Sequence, residues 1–332
     1  MQAVLSIIDA YPLFLPVAIG LLGLLVGSFL NVVVHRLPIM LEREWQRFAE
    51  EADAAQQEAA TAAGVPTATG VPTATRVPTV PQETAAPEVP AAPAETTASA
   101  KAFNLAVPGS HCPKCEHKLA AWENIPVISY LLLRRRCRAC QTPISARYPL
   151  VEVAAAVLAI VVANEFGPTL SMLGLLVFTW ALLTASLIDF DHKLIPDDIS
   201  LPLMWMGLLL TAANAGVPGV SLVDSVAGAA AGYLSLWCLY WVFLHATGKQ
   251  GLGYGDFKLL AALGAWLGWQ ALLPVLLLAS LGGSVVGIGL ILIKGHSRSA
   301  AMPFGPFLAS AGFIMLIWGP SLLQTYARLL GV

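Results

Sequence analysis

Residues 169–198 read TLSMLGLLVFTWALLTASLIDFDHKLIPDD. The stretch 169–188 carries no Asp, Glu, Lys or Arg. As a helix it rises about 30 Å, the thickness of a bilayer's hydrocarbon core. Asp189, Asp191, His192 and Lys193 follow at once, where such a helix reaches water. Outward from this stretch the pattern repeats. Apolar runs near 11–34, 148–165, 169–188, 199–215, 222–246, 257–268, 270–293 and 303–325 predict about eight transmembrane helices, the sixth short enough to be broken or tilted. Backbone groups find no water in lipid, so these runs are expected to be helices packed in a bundle. Composition agrees: 57% of the 332 residues are hydrophobic and 11% charged, against about 25% charged in a soluble domain. The predicted fold is an all-α polytopic membrane protein carrying one hydrophilic insert.

Charges crowd into 35–147, which divides the chain into a first span at 1–34, an insert at 35–147 and a membrane domain at 148–332. The first run follows Asp9 with no basic residue before it, so it reads as a retained span rather than a cleaved signal. With the N-terminus outside, every one of the 18 Lys and Arg except Arg328 falls on the inner side. The opposite orientation reverses that balance and is strongly disfavoured, so the insert is expected to be cytoplasmic.

Within the insert, 41–63 (LEREWQRFAEEADAAQQEAATAA) predicts a helix continuing out of the membrane. From 64 the chain reads GVPTATGVPTATRVPTV, a Pro/Thr/Ala repeat that cannot bury a core; we draw the Ala/Pro/Thr linker over 53–100. Residues 101–147 hold Cys112-Pro-Lys-Cys115 and Cys137-Arg-Ala-Cys140, separated by 21 residues. Each CxxC offers two thiolates from one tight turn, and two such knuckles suit tetrahedral Zn(II). A reducing compartment argues against disulfides, and four thiolates leave no open coordination position, so the role is structural. Cys238 reads as core. The basic run Leu133-Arg-Arg-Arg-Cys-Arg138 suits anionic lipid or inside-anchoring better than nucleic acid.

Ionisable residues at span ends are costly and so are candidate functional groups. Two segments share the inner face: Ser186 to Asp198, holding Asp189, Asp191, Asp197 and Asp198, and Gly251-Leu-Gly253-Tyr-Gly255-Asp256-Phe-Lys258. Two aspartates brought together share one proton, because like charges a few ångströms apart do not both ionise. The ionised one takes a proton from an attacking water and the other donates to a peptide carbonyl, a chemistry needing no metal. Asp197 and Asp198 also suit helix caps. The Gly-rich run lacks the strand and the Gly-Lys-Ser/Thr of a phosphate loop. An ion or solute pathway lined by the same carboxylates, or a zinc-ribbon membrane adaptor without catalysis, remains open on residues alone.

The order of motifs resembles the type IV prepilin peptidases, bifunctional leader peptidases and N-methyltransferases. Gly27-Ser-Phe-Leu-Asn31-Val-Val-Val-His35-Arg36-Leu-Pro38 looks like that family's opening signature. The two CxxC pairs enclose Trp122-Glu-Asn124-Ile-Pro126 and Ser129-Tyr130, and Ile144-Ser-Ala-Arg147-Tyr148-Pro149-Leu-Val-Glu152 follows. The resemblance implies Asp189 and Asp256 as the catalytic pair, the latter in a Gly-x-Gly-Asp motif shared with presenilin-like membrane proteases. Asp191, Asp197 and Asp198 are assigned supporting or capping roles. It further implies a bacterial inner-membrane location, prepilin or pseudopilin substrates with a short basic leader ending in Gly, and S-adenosylmethionine as methyl donor. No soluble-type nucleotide fingerprint accompanies that last activity; Glu42 and Glu44, in the charged stretch after the first span, are its candidate acids. The linker is longer and more repetitive than the family pattern requires.

Overall fold

The computed structural model describes residues 11, 13–62, 103–112, 114–120, 126–249, 251–294 and 302–330. Of the motif residues, Pro113 and Trp122, Glu123, Asn124 and Ile125, together with most of the predicted linker, lie outside that set. The chain divides into two compact units, Met1–Pro38 with Gly109–Val332, and Ile39–Pro108. The division falls inside one helix, α1 (Phe14–Ala62). Pro38, which lacks the N–H that would close a helical hydrogen bond, marks the point. The predicted continuation over 41–63 is thus observed to Ala62, and the first residues of the 53–100 linker are helical. In the smaller unit the guanidinium of Arg43 lies 4.4 Å from the ring centroid of Phe103, so the chain on the far side of the linker returns to this helix.

The larger unit contains α2 (Pro126–Leu132), α3 (Arg147–Phe166), α4 (Leu170–His192), α5 (Asp197–Ala212), α6 (Leu222–Thr247), α7 (Tyr254–Leu267), α8 (Leu272–Lys294) and α9 (Gly305–Leu330). All eight apolar runs are helices. Six are long and apolar enough to cross a membrane, whereas α5 and α7 have only 16 and 14 residues. Their shortness has a packing reason. Asp256, Phe257 and every residue from Leu259 to Leu267 of α7 are buried, so protein rather than lipid surrounds this helix. A helix enclosed in that way need not reach both surfaces to satisfy its ends.

Small residues let α7 sink into the bundle. A Cβ on Gly264 would stand 2.1 Å from the Gly228 carbonyl oxygen of α6, so the two backbones meet where no side chain fits. On the opposite side the buried Trp266 ring lies 4.9 Å from that of Phe178 in α4, and its Nε1 donates to the Leu203 carbonyl of α5 at 2.8 Å. One indole therefore ties α4, α5 and α7 together. The core built around it also includes Leu175, Leu182, Leu260, Leu263 and Leu308. Local signals set the helix starts: Thr169 accepts from the Met172 N–H before α4, and Ser221 with Asp224 forms a capping box before α6.

Candidate active site and metal centre

Three helix ends meet at the carboxylates. α4 stops at His192 because Lys193 turns left-handed (φ 54°), its N–H bonding the Asp189 carbonyl. Asp189 therefore sits in the last turn, 5% exposed, and the chain passes through buried Ile195 and Pro196 into α5. Asp256 occupies the first turn of α7, 7% exposed, and its Oδ2 accepts the Gly253 N–H at 3.3 Å. Gly305 opens α9 and donates its N–H to Asp189 Oδ2 at 2.9 Å. A Cβ on Gly305 would come within 2.7 Å of that oxygen, so only glycine lets the helix end approach so closely.

The carboxylates of Asp189 and Asp256 are near enough for the charge of one to bear on the other. Ile195 fills the space between their elements: ideal Cβ atoms on Gly255 and Gly305 would each approach it to 2.8 Å. Each carboxylate thus accepts from a backbone N–H at a helix N-terminus, where the peptide dipoles also favour negative charge. Two buried carboxylates near enough to feel each other's charge, each fixed by one amide, can share one proton and work as an acid and base pair.

The neighbouring acids have other partners. Asp191 takes both terminal nitrogens of Arg147, one of them at 3.0 Å. Asp197 binds Lys258 Nζ with both oxygens, at 2.7 and 2.6 Å. The capping expected of Asp197 or Asp198 is not observed. Pro196 holds the N-cap position of α5 and no side chain caps it, so both aspartates lie in the first turn, where the dipole favours them without a cap bond. Sequence reasoning overlooked two contributors. Gly305, within the apolar run over 303–325, is not among the candidate residues of the sequence, yet its amide holds Asp189. Glu152, quoted only as part of a motif, is a wholly buried carboxylate in α3; its signal was an acid well inside an apolar run.

The four cysteines of the insert form one cluster, with all four sulfurs within 4.8 Å of one another. Sγ of Cys112 is 3.7 Å from that of Cys140, and Cys115 is 4.0 Å from Cys137. Four thiolates around one zinc ion at 2.3 Å stand about 3.8 Å apart, so the spacing fits such an ion and exceeds a disulfide. The two knuckles are built alike. Cys112 N–H bonds the His117 carbonyl and Cys137 N–H the Thr142 carbonyl, each at 2.9 Å. Glu116 and Gln141, after the second cysteine of each, both turn left-handed (φ 57° and 58°). The Thr142 hydroxyl and backbone N–H lower the Cys140 thiol to about 6, and the N–H groups of Lys114 and Cys115 lower Cys112. The His117 N–H also lowers Cys115, but burial and the three neighbouring sulfurs outweigh it and push that thiol up to about 12. A cation among the sulfurs is what lets all four ionise together. The donor set can therefore hold a metal ion.

Residues 21–166 match the model of the Bacterial Peptidase A24 N-terminal domain, and residues 176–288 that of the Type IV leader peptidase family. Proteins named prepilin leader peptidase/N-methyltransferase from Aeromonas salmonicida and Pseudomonas putida are each 48% identical to the chain. The first match covers 92% of this chain and 91% of the relative, the second 93% of both. Another of that name, from Pseudomonas aeruginosa, is 43% identical over 98% of both chains. No solved structure matches. Identity of this degree over more than nine-tenths of the chain, with family models that match both the insert and the apolar helices after it, exceeds what shared hydropathy produces, and the chain belongs to the type IV leader peptidase family.

Proposed function

We propose that this protein removes the short basic leader of type IV prepilins and pseudopilins at the cytoplasmic face of the bacterial inner membrane, with Asp189 and Asp256 as its catalytic pair. It then methylates the new N-terminal residue with S-adenosylmethionine. The single observation that carries the peptidase reading is the burial of these two aspartates, distant in sequence, at the junction of α4, α7 and α9. Their relatives' name and the family supply the substrate class.

The chemistry follows from the pair. The ionised aspartate takes a proton from water as its oxygen attacks the carbonyl carbon after the leader glycine. The protonated partner donates to the carbonyl oxygen. Collapse of the tetrahedral intermediate breaks the C–N bond, with a proton passing to the leaving amine. Gly305 and Gly253 hold the two carboxylates by their amides throughout. The location suits the substrate, whose charged leader stays in water while the following apolar helix lies in lipid.

The four-cysteine cluster would hold Zn(II) as a structural ion, and the residues 35–147 would face the cytoplasm. A transporter reading loses ground because Asp189 and Asp256 are buried in the end turns of two helices rather than spaced along a polar stripe. The adaptor reading leaves the paired aspartates without a purpose. Incubating the purified protein with a prepilin, with and without S-adenosylmethionine, and weighing the product tests both activities. Loss of the leader mass is expected in both samples and one added methyl group only with the donor. An unchanged substrate mass would refute the peptidase reading.

A further inference from the structure

The peptidase pair leaves one buried acid unused. Glu152 of α3 is 0% exposed, inside a helix long and apolar enough to cross the membrane. Its Oε2 accepts the Val127 N–H from the first turn of α2 at 3.0 Å, and Ser28 of α1 also bonds the carboxylate. Its Oε1 is buried and has no hydrogen-bond partner among the described residues. An unpaired carboxylate oxygen in such a place costs folding free energy, and a purely structural bracket does not require it. The surroundings are built to hold the group still. A Cβ on Gly27 would come within 2.6 Å of the Glu152 Cα, so α1 packs directly against the α3 backbone here. Asn31 fixes the same crossing, donating to the Gly27 and Tyr148 carbonyls at 3.2 and 3.1 Å.

The position along α3 matters too. Arg147, in the first turn of α3, reaches Asp191, just past Asp189 at the end of α4. Glu152 lies about 8 Å further along the axis at the usual helical rise, so it is on the end of the bundle where the aspartate pair lies. Leader cleavage creates there a new α-amino group, which is a cation in water. Methylation needs that amine neutral, because only the free lone pair attacks a methyl carbon; a sulfonium donor needs no such base.

We infer that Glu152 is the acceptor site of the methyl-transfer step, binding the α-ammonium of the cleaved pilin through Oε1 and taking its proton. The inference rests on the methyltransferase half of the reading above. In the step, an N–H bond of the ammonium breaks and its proton passes to the carboxylate. The freed nitrogen lone pair forms the N–CH3 bond as the S–CH3 bond of the sulfonium donor breaks, its electron pair staying on sulfur. The products are a neutral thioether and an N-methylated ammonium, and the Glu152 proton returns to water.

Glu152→Gln tests this, since the amide oxygen can still accept from Val127. With prepilin and S-adenosylmethionine, the variant is expected to cleave within about two-fold of the wild type. Methylation should fall at least about 100-fold, the scale of a lost general base. A binding measurement separates acceptor from donor. Wild type should bind a peptide with the mature pilin N-terminus more tightly when its α-amino group is free than when it is acetylated. In the variant that preference should vanish while S-adenosylmethionine affinity stays unchanged. Methylation at the wild-type rate overturns the inference, as does equal loss of cleavage and methylation, or loss of donor affinity in place of the amine preference. If the wild type itself adds no methyl group, the methyltransferase reading falls and the inference with it.

Discussion

At the scale of single residues, the site depends on an amide that carries no side chain. Gly305 donates to Asp189 from a position where a methyl group would stand 2.7 Å from the carboxylate oxygen. Gly305→Ala should therefore push Asp189 out of register while leaving both aspartates present. A displacement near 1 Å in a catalytic group costs on the order of 100-fold in rate. Processing of a prepilin by the purified variant is expected to slow by about 10- to 100-fold, with the protein still accumulating in the membrane. A normal rate would show that the Gly305 contact does not position the carboxylate. That Asp189 and Asp256 stand at the ends of apolar runs was legible in the sequence, whereas their selection as a pair from among the neighbouring acids came from the resemblance. Gly305 was not legible, because its part comes from a contact across more than a hundred residues of chain, and nothing local announces it.

At the scale of elements, hydropathy located all eight apolar helices but said nothing of what surrounds each one. An apolar run reads alike whether lipid or protein lies outside it. α8 and α7 illustrate the difference: Leu273, Leu277, Leu281 and Val285 of α8 are exposed, whereas Leu259, Leu260 and Leu263 of α7 are buried. The short α7 therefore behaves as a core helix of the bundle and presents Asp256 from within it. The cysteine knuckles were legible in full, since CxxC spacing dictates the turn that offers two thiolates. Replacing one buried cysteine from each knuckle, Cys112→Ser with Cys137→Ser, should lower bound zinc from about one ion per chain to a trace, leaving two sulfurs where a structural site needs four. Metal analysis of the purified proteins checks this. Full zinc content in the double variant would mean that the ion is held elsewhere.

At the scale of the whole molecule, orientation follows from where the positive charges lie. Every Lys and Arg but Arg328 falls on one side of the proposed arrangement. A fluorescent reporter inserted between residues 85 and 86 should be bright in cells, and alkaline phosphatase at the same point inactive. Active phosphatase there would reverse the topology and place the aspartates on the wrong face for a basic leader. The division at Pro38 falls four residues beyond the boundary drawn at 34/35, inside the continuous helix α1. The family's motif order was visible along almost the whole chain, and the 43–48% identity of the three relatives rests on the same span.

The central claim is that Asp189 and Asp256 act as one unit, and substitution of each in turn tests it most directly. Asp189→Asn and Asp256→Asn keep the side-chain shape and remove the shared proton. Membranes carrying each variant at wild-type abundance, mixed with a prepilin and followed by the mass of the product, should show no leader removal above background in either case. Processing by either variant at the wild-type rate would contradict the account.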